Sequence, residues 1–474
     1  MSGANSTQTG GRKPFVREIH LGADALVPAL LSLDAGRSLS LLDSCGARGA
    51  AARLLIAGFD PFEVIEIKDG CARITSRVDD SITHIKAGAL EILDERLALY
   101  ASEFSGHPLH TGACIATLSY DLVHSLERLR SNPKRERAGT EPDAVFAFYD
   151  TLVIHDYAQG KTVIAGSGES GRMDEIEATL HDARLKVKAE KAQASAAASN
   201  LTRAEYLAAV RRVKVHIAAG DIYQANLTQQ FCCTLPEELG AEDIFQSLRR
   251  DHPAPFAAFI RRRKDTVVSI SPERFVRVES EKAARRIEAW PIKGTRPRGH
   301  EPLEDSRLRA ELEASEKDRA ENVMIVDLLR NDLGRVCHYG SIVVAELCAV
   351  EEHPTLFHLV SKVRGTLRDK VTAGDILRAC FPCGSITGAP KIRAMEIIDE
   401  VETAPRGLSM GAIGYFAFDG SLDLNVAIRT MTVSNHVARF NVGGGIVADS
   451  DPEKEYEESL VKARALFRAL GVKI

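Results

Sequence analysis

Short apolar runs closed by turn residues recur through the first part of the chain and predict strands over residues 54–58 and 145–149. Two further runs, over 151–155 and 162–165, flank Tyr157-Ala158-Gln159-Gly160 and predict a hairpin. Beyond residue 200 the pattern turns helix-rich but stays interleaved with strands. It predicts a helix over 203–219 and strands over 256–260, 267–270 and 275–278. Residues 321–330 are apolar nearly all round, which predicts a buried helix. Strands and helices without regular βαβ alternation or internal repeat predict an α+β fold with largely antiparallel sheets.

The small, low-complexity stretch at 192–200 predicts a linker between an N-terminal region, 14–191, and a second region, 201–474. Residues 1–13 are polar and lack an apolar segment, so they read as a disordered tail rather than a signal peptide. At 474 residues the chain has room for two or three average domains or one large double-layered one. The net charge of −5, from 61 basic and 66 acidic residues, argues against a nucleic-acid or membrane-surface partner. No apolar run reaches the roughly 18–20 residues of a membrane helix. Nine cysteines without framework spacing fit thiols in a reducing cytoplasm.

Three motifs are decoys. Gly166-Ser167-Gly168-Glu169-Ser170-Gly171 matches a dinucleotide fingerprint locally, but the acidic residue about 20 positions later is missing, and a solvated turn is the reading adopted. Cys380-Phe381-Pro382-Cys383 has no second ligand pair for zinc. Gly384 to Lys391 is no phosphate loop, because Pro390 precedes the lysine.

Candidate chemistry lies elsewhere. On a helix, Glu455, Glu458 and Lys462 share one face, which alone describes a surface helix with a Glu–Lys pair. The segment follows the glycine run Gly443-Gly444-Gly445, whose backbone can approach an anion closely. Glu321 enters the apolar helix near Asp318, and a buried carboxylate needs a partner. Two or three carboxylates with open water positions suit Mg²⁺. Arg429 offers a fork for a carboxylate, or a strand-edge ion pair. Taken alone, Lys293 is a loop lysine and His358 a core histidine beside apolar residues.

In combination these strings resemble one family. Ser271-Pro272-Glu273-Arg274-Phe275, Pro291-Ile292-Lys293-Gly294-Thr295, Gly384-Ser385-Ile386-Thr387-Gly388-Ala389-Pro390-Lys391 and Asp451-Pro452-Glu453-Lys454-Glu455 are similar to segments of the chorismate-utilising enzymes. That family includes anthranilate synthase component I and the isochorismate and salicylate synthases. The match is dense from about 203 to 470. The resemblance implies the family's large sandwich of two mainly antiparallel sheets flanked by helices. It implies chorismate as substrate and Mg²⁺, held by Glu321, Glu455 and Glu458, at the chorismate C1 carboxylate. It implies a substrate pocket from Thr387, Gly384, Tyr415, Arg429, Gly443, Gly444, Gly445, Lys462 and Gln224, with Glu273 as general acid and His358 near the departing hydroxyl.

Lys293 separates members of the family. Anthranilate synthases are expected to carry alanine there; members that aminate C4 through a covalent intermediate carry lysine. The resemblance therefore implies conversion of chorismate and ammonia to 4-amino-4-deoxychorismate, toward 4-aminobenzoate and folate, with ammonia from a separate glutamine amidotransferase subunit. Gln224 stands where the isochorismate and salicylate synthases place a basic lysine to activate water, which counts against those activities. Leu42, Asp43 and Ser44 resemble the family's tryptophan pocket, and Leu408-Ser409-Met410 departs from its usual pattern. An anthranilate synthase, or a non-catalytic tryptophan- or chorismate-binding protein, stays open as the alternative.

Overall fold

The computed structural model describes residues 14–47, 53–101, 108–129, 141–167, 170–183, 194, 196–280, 284–353 and 356–472. The tail at 1–13, residues 192, 193 and 195 of the linker and part of the glycine motif near 166–171 lie outside them.

The described strands form two sheets of twelve strands each. Every strand pair is antiparallel. Where one face of a sheet meets helices and the other meets the second sheet, apolar runs such as Ala144–Tyr149 are buried at every position. A middle layer of Ile56, Ile154, Ala258, Val267, Ile115, Ala147 and Ile413 joins the two sheets. Helices Ala23–Leu31, Ala241–Asp251 and Pro452–Ala469 cover the outer face of the first sheet. Helices Ala89–Leu99, Glu316–Gly334 and Ala373–Cys380 cover the second. The α+β sandwich is therefore the observed architecture.

The expected strands and hairpin are present, as Leu54–Gly58, Ala144–Tyr149, Thr151–Asp156 with Lys161–Gly166, Phe256–Arg261, Thr266–Ser271 and Arg274–Ser280. Helix Arg203–Ala218 is fixed at its start by a capping box: Thr202 accepts from the Glu205 backbone while Glu205 accepts from that of Thr202. The reading of 321–330 as buried all round needs correction. Asn322, Ile325, Val326 and Leu329 face inward, but Val323, Asp327 and Arg330 are exposed. The helix is amphipathic, because only one of its faces has a sheet to cover.

Both sheets run across the boundary drawn at 192–200. Strand Ser40–Asp43 pairs with Phe256–Arg261 in one, and Ala113–Leu118 pairs with Ala412–Ala417 in the other. Within the linker itself, Ala198–Ser199 adds a short strand beside Gln224–Thr234.

Candidate active site

Two segments cross between the sheets side by side, in opposite directions. One joins Thr266–Ser271 to Arg274–Ser280 and carries Glu273; the other lies between Leu422–Val426 and Thr430–Ser434 and carries Arg429. They are stitched together: the Ile270 N–H donates to the Arg429 carbonyl at 3.1 Å, and the Val426 N–H to that of Glu273 at 3.0 Å. The Ser271 hydroxyl donates to the Val426 carbonyl at 2.6 Å. Arg429 takes a left-handed backbone, φ 49°, a setting non-glycine residues adopt when surrounding structure imposes it.

Glu273 is buried, and its Oε1 has no hydrogen-bond partner among the described residues. Burial pushes its carboxyl up to about 7, against the opposing charge of Lys293 and hydrogen bonds from Ser385 and the Ile292 backbone. A carboxyl so placed still holds its proton near neutrality. Lys293, on strand Ile292–Pro297, sets its Nζ 4.0 Å from Glu321 Oε2 and 3.5 Å from the Ser385 carbonyl. Register places Thr295 opposite His358 on Leu356–Thr366, and the Thr295 hydroxyl lies 3.0 Å from His358 Nδ1. Burial, with the charges of His353 and Arg429, lowers the His358 imidazole to about 3, so it is neutral at physiological pH. Burial also disfavours the Arg429 charge, and its guanidinium meets no carboxylate among the described residues. A bound carboxylate would relieve that state.

Gln224 opens strand Gln224–Thr234, is fully buried, and neither atom of its amide has a hydrogen-bond partner among the described residues. Gly443 is required by close approach, since a Cβ there would stand 1.8 Å from the Leu227 carbonyl oxygen, and its neighbours lie against functional side chains. A Cβ on Gly445 would stand 2.6 Å from Gln224 Nε2, and one on Gly444 would meet Glu455 Oε2 and Lys462 Nζ at 3.3 Å. The glycines lie on strand Val437–Ile446, whose pairing with Thr430–Ser434 ends at Arg439, so they have no strand partner on that edge among the described residues. In the 384–388 loop, a Cβ on Gly384 would be 2.6 Å from Leu328 Cδ2, and Thr387 donates its hydroxyl to the Cys383 carbonyl at 3.0 Å.

Asp451 caps helix Pro452–Ala469 and so fixes which face Glu455, Glu458 and Lys462 share. Glu455 accepts from the Ser450 hydroxyl at 2.6 Å, and Lys317 Nζ stands 4.0 Å from it. Lys462 pairs with Glu458 at 2.8 Å and donates to the Gly443 carbonyl at 3.1 Å. Burial opposes the Glu458 charge, but Lys462, Lys317 and Lys293 outweigh it and hold the carboxyl below its usual range. Burial pushes the Glu321 carboxyl up; Lys293 and Lys317 oppose this, while Asp318 and Glu458 add to it. Among the described residues no three acidic, histidine or cysteine side chains converge on one ion position. Ammonium groups stand among the carboxylates instead. The donor chemistry still fits a hard dication: the set is all oxygen, and Glu321 and Glu458 repel each other as a cation between them would offset.

Not every expected residue joins the group. Tyr415 sits against Asp423, Arg274 and Arg277, none of which faces Lys293 in a described contact, and burial pushes its phenol up. Leu42, Asp43 and Ser44 lie at the strand Ser40–Asp43, where Asp43 binds Arg249 and the Tyr157 hydroxyl, each at 2.7 Å. Cys380 and Cys383 are buried free thiols, both raised by burial. Sequence reasoning passed over three residues. Ser385 touches both Glu273 and Lys293, Thr295 orients His358, and Lys317 reaches Glu455 and Glu458. Only Lys317 left a separate signal, as the cation one turn before Glu321.

A carboxyl poised near neutrality, an amine beside it, a bare guanidinium and a carboxylate group define a site for a small anionic substrate. The sequence pattern of the family described as chorismate binding enzyme matches residues 49–468, and the chain belongs to that family. Within it, aminodeoxychorismate synthase component 1 of Salmonella typhimurium is 37% identical over 421 residues, covering 87% of this chain and 90% of that protein. Anthranilate synthase component 1 of Thermus thermophilus is 35% identical over 471 residues, covering 97% of both. Among solved structures, anthranilate synthase component I from Streptococcus pneumoniae superimposes with a TM-score of 0.75 at 28% identity, over 89% of this chain and 93% of that one. No described helix is long and apolar enough to cross a membrane.

Proposed function

We propose that this enzyme is the chorismate-aminating component of an aminodeoxychorismate synthase, converting chorismate and ammonia to 4-amino-4-deoxychorismate for 4-aminobenzoate and folate synthesis. The observation that carries this reading is Lys293, an amine held between Glu321 and the Ser385 carbonyl with its charge acting on Glu273.

Lys293, as the free amine, attacks ring C2. Both ring double bonds shift, from C1=C2 and C5=C6 to C1=C6 and C4=C5, and the bond from C4 to its hydroxyl breaks, with Glu273 giving the proton that lets the oxygen leave as water and the lysine nitrogen shedding one in turn. Ammonia then adds at C4, both double bonds shift back, and the C2–N bond to Lys293 breaks, the amine leaving with a proton that the new C4 nitrogen gives up. Neutral His358 serves as a hydrogen-bonding neighbour of the departing hydroxyl rather than as its acid. Arg429 and the Gly443–Gly445 edge take substrate carboxylate, with Gln224 beside them. Glu321 and Glu458, with Glu455 behind, would hold Mg²⁺, whose charge supplies a counter-ion for the C1 carboxylate. Ammonia comes from a glutamine amidotransferase subunit in a cytoplasmic complex, and the segment at Leu42, Asp43 and Ser44 holds a tryptophan.

The rival is C2 amination, as in an anthranilate synthase, a name that relatives of comparable similarity also carry. Lys293 speaks against it, because an amine already bonded to C2 blocks that carbon. The test is the product mass from purified protein with chorismate, ammonium and Mg²⁺. Aminodeoxychorismate, giving 4-aminobenzoate only after a lyase is added, is the expected result. Fluorescent anthranilate with released pyruvate would overturn the reading.

A further inference from the structure

Behind the 384–388 loop lies a buried ion pair that the chemistry above does not use. Arg406 and Glu402, four residues apart just beyond the end of helix Lys391–Val401, are 2% and 3% exposed. The Arg406 fork grips the Glu402 carboxylate twice, at 2.9 and 2.7 Å. Its remaining N–H groups reach outward: one donates to the Ile386 carbonyl at 2.8 Å and another to that of Asn226 at 2.5 Å. Glu402 Oε1 in turn accepts from the backbone N–H and hydroxyl of Thr228, at 2.8 and 2.9 Å. The guanidinium lies 4.4 Å from the Tyr120 ring centre. The contacts described here thus end in the pair itself or on two stretches of chain. One is the loop that carries Ser385 and Thr387; the other is the strand start that carries Gln224.

Those stretches are also tied directly, by the Asn226 N–H to the Thr387 carbonyl at 2.7 Å. At its other side the loop is held by Lys391, which binds Asp332 at 2.6 Å and the Cys380 carbonyl at 2.9 Å. A buried ion pair is a weak means of stabilising a fold, since desolvation offsets much of its attraction. What it supplies is fixed geometry, and here the geometry is that of the carbonyl facing Lys293 and the hydroxyl facing Glu273.

We propose that Arg406, with Glu402, is a positioning residue for the reaction: it fixes the 384–388 loop against the start of the Gln224 strand, so that Ser385 keeps Lys293 and Glu273 in register. This rests on the site roles proposed above. Lysine cannot reproduce the fork, so Arg406→Lys keeps the charge but loses part of the grip.

The experiment measures melting temperature, chorismate KM, kcat and product mass for wild type, Arg406→Lys and Glu402→Gln, with ammonium and Mg²⁺. The expected result is folded Arg406→Lys whose kcat falls about a hundredfold with a small change in KM, as misplacement by about an ångström does. A cavity of about 590 Å³ borders Arg406, and truncating its buried side chain would open that cavity into the space the guanidinium leaves. Methylguanidinium should therefore restore part of the turnover of Arg406→Ala, and methylammonium should not. Folded Arg406→Lys with wild-type kcat and KM would overturn the proposal and leave the pair a structural feature. If Arg406→Lys does not fold, Glu402→Gln carries the same comparison, and a wild-type kcat there overturns it equally. The product mass of the wild type tests the reaction assigned above separately, because the Arg406 comparison reads chorismate turnover whatever the product.

Discussion

At the scale of single residues, the acid role proposed for Glu273 carries a pH dependence. Its carboxyl, lifted to about 7, donates a proton only below that value. At fixed free ammonia, chorismate turnover should fall as pH rises through about 7, and Glu273→Gln should lower kcat by about 10²- to 10⁴-fold and erase that limb. A pH–rate profile that keeps the limb in the variant would move the acid elsewhere. Lys293→Ala should stop C4 amination, with any surviving turnover appearing as C2-aminated product by mass; unchanged kinetics and product would refute the nucleophile. Both residues were legible in the sequence through their motifs. Their environment was not: the desolvation of Glu273 and the bare guanidinium of Arg429 arise from segments distant in the chain closing over them.

At the scale of elements, helix starts decide where functional side chains point. Asp451 and Ser315 cap the helices that carry Glu458 and Glu321, so those carboxylates approach from two separate helices. Glu458→Gln should shift the Mg²⁺ titration of activity to higher concentration, and an unaltered titration would place the ion elsewhere. Thr202→Ala should cost about 1 kcal/mol of stability through the lost cap, read as a lower urea midpoint with the chorismate KM unchanged. The short apolar runs and the helix signals were readable because they depend on neighbours along the chain. The amphipathicity of Glu316–Gly334 was misjudged, since Val323 is apolar yet lies on the solvent side. Which face is covered depends on a sheet the helix does not itself encode.

At the scale of the molecule, the two sheets bind the chain into one unit across 192–200. Residues 201–474 alone would expose the edges of Phe256–Arg261 and Ala412–Ala417, which pair with strands from before the linker. Expressed separately, that half should aggregate, while the whole chain should unfold in one transition by both circular dichroism and fluorescence; a soluble, chorismate-binding half would contradict this. The sequence by itself determined the α+β class, the strands named above and the family to which the chain belongs, because each is written in local spacing or in a recurrent string. Only the tertiary structure decided that Ser385 joins Glu273 to Lys293, that Arg406 braces their loop, and that Tyr415 stands with Asp423 and Arg274. Those relations join residues far apart in sequence, and burial, charge and hydrogen bonding act between them only once the two sheets have packed.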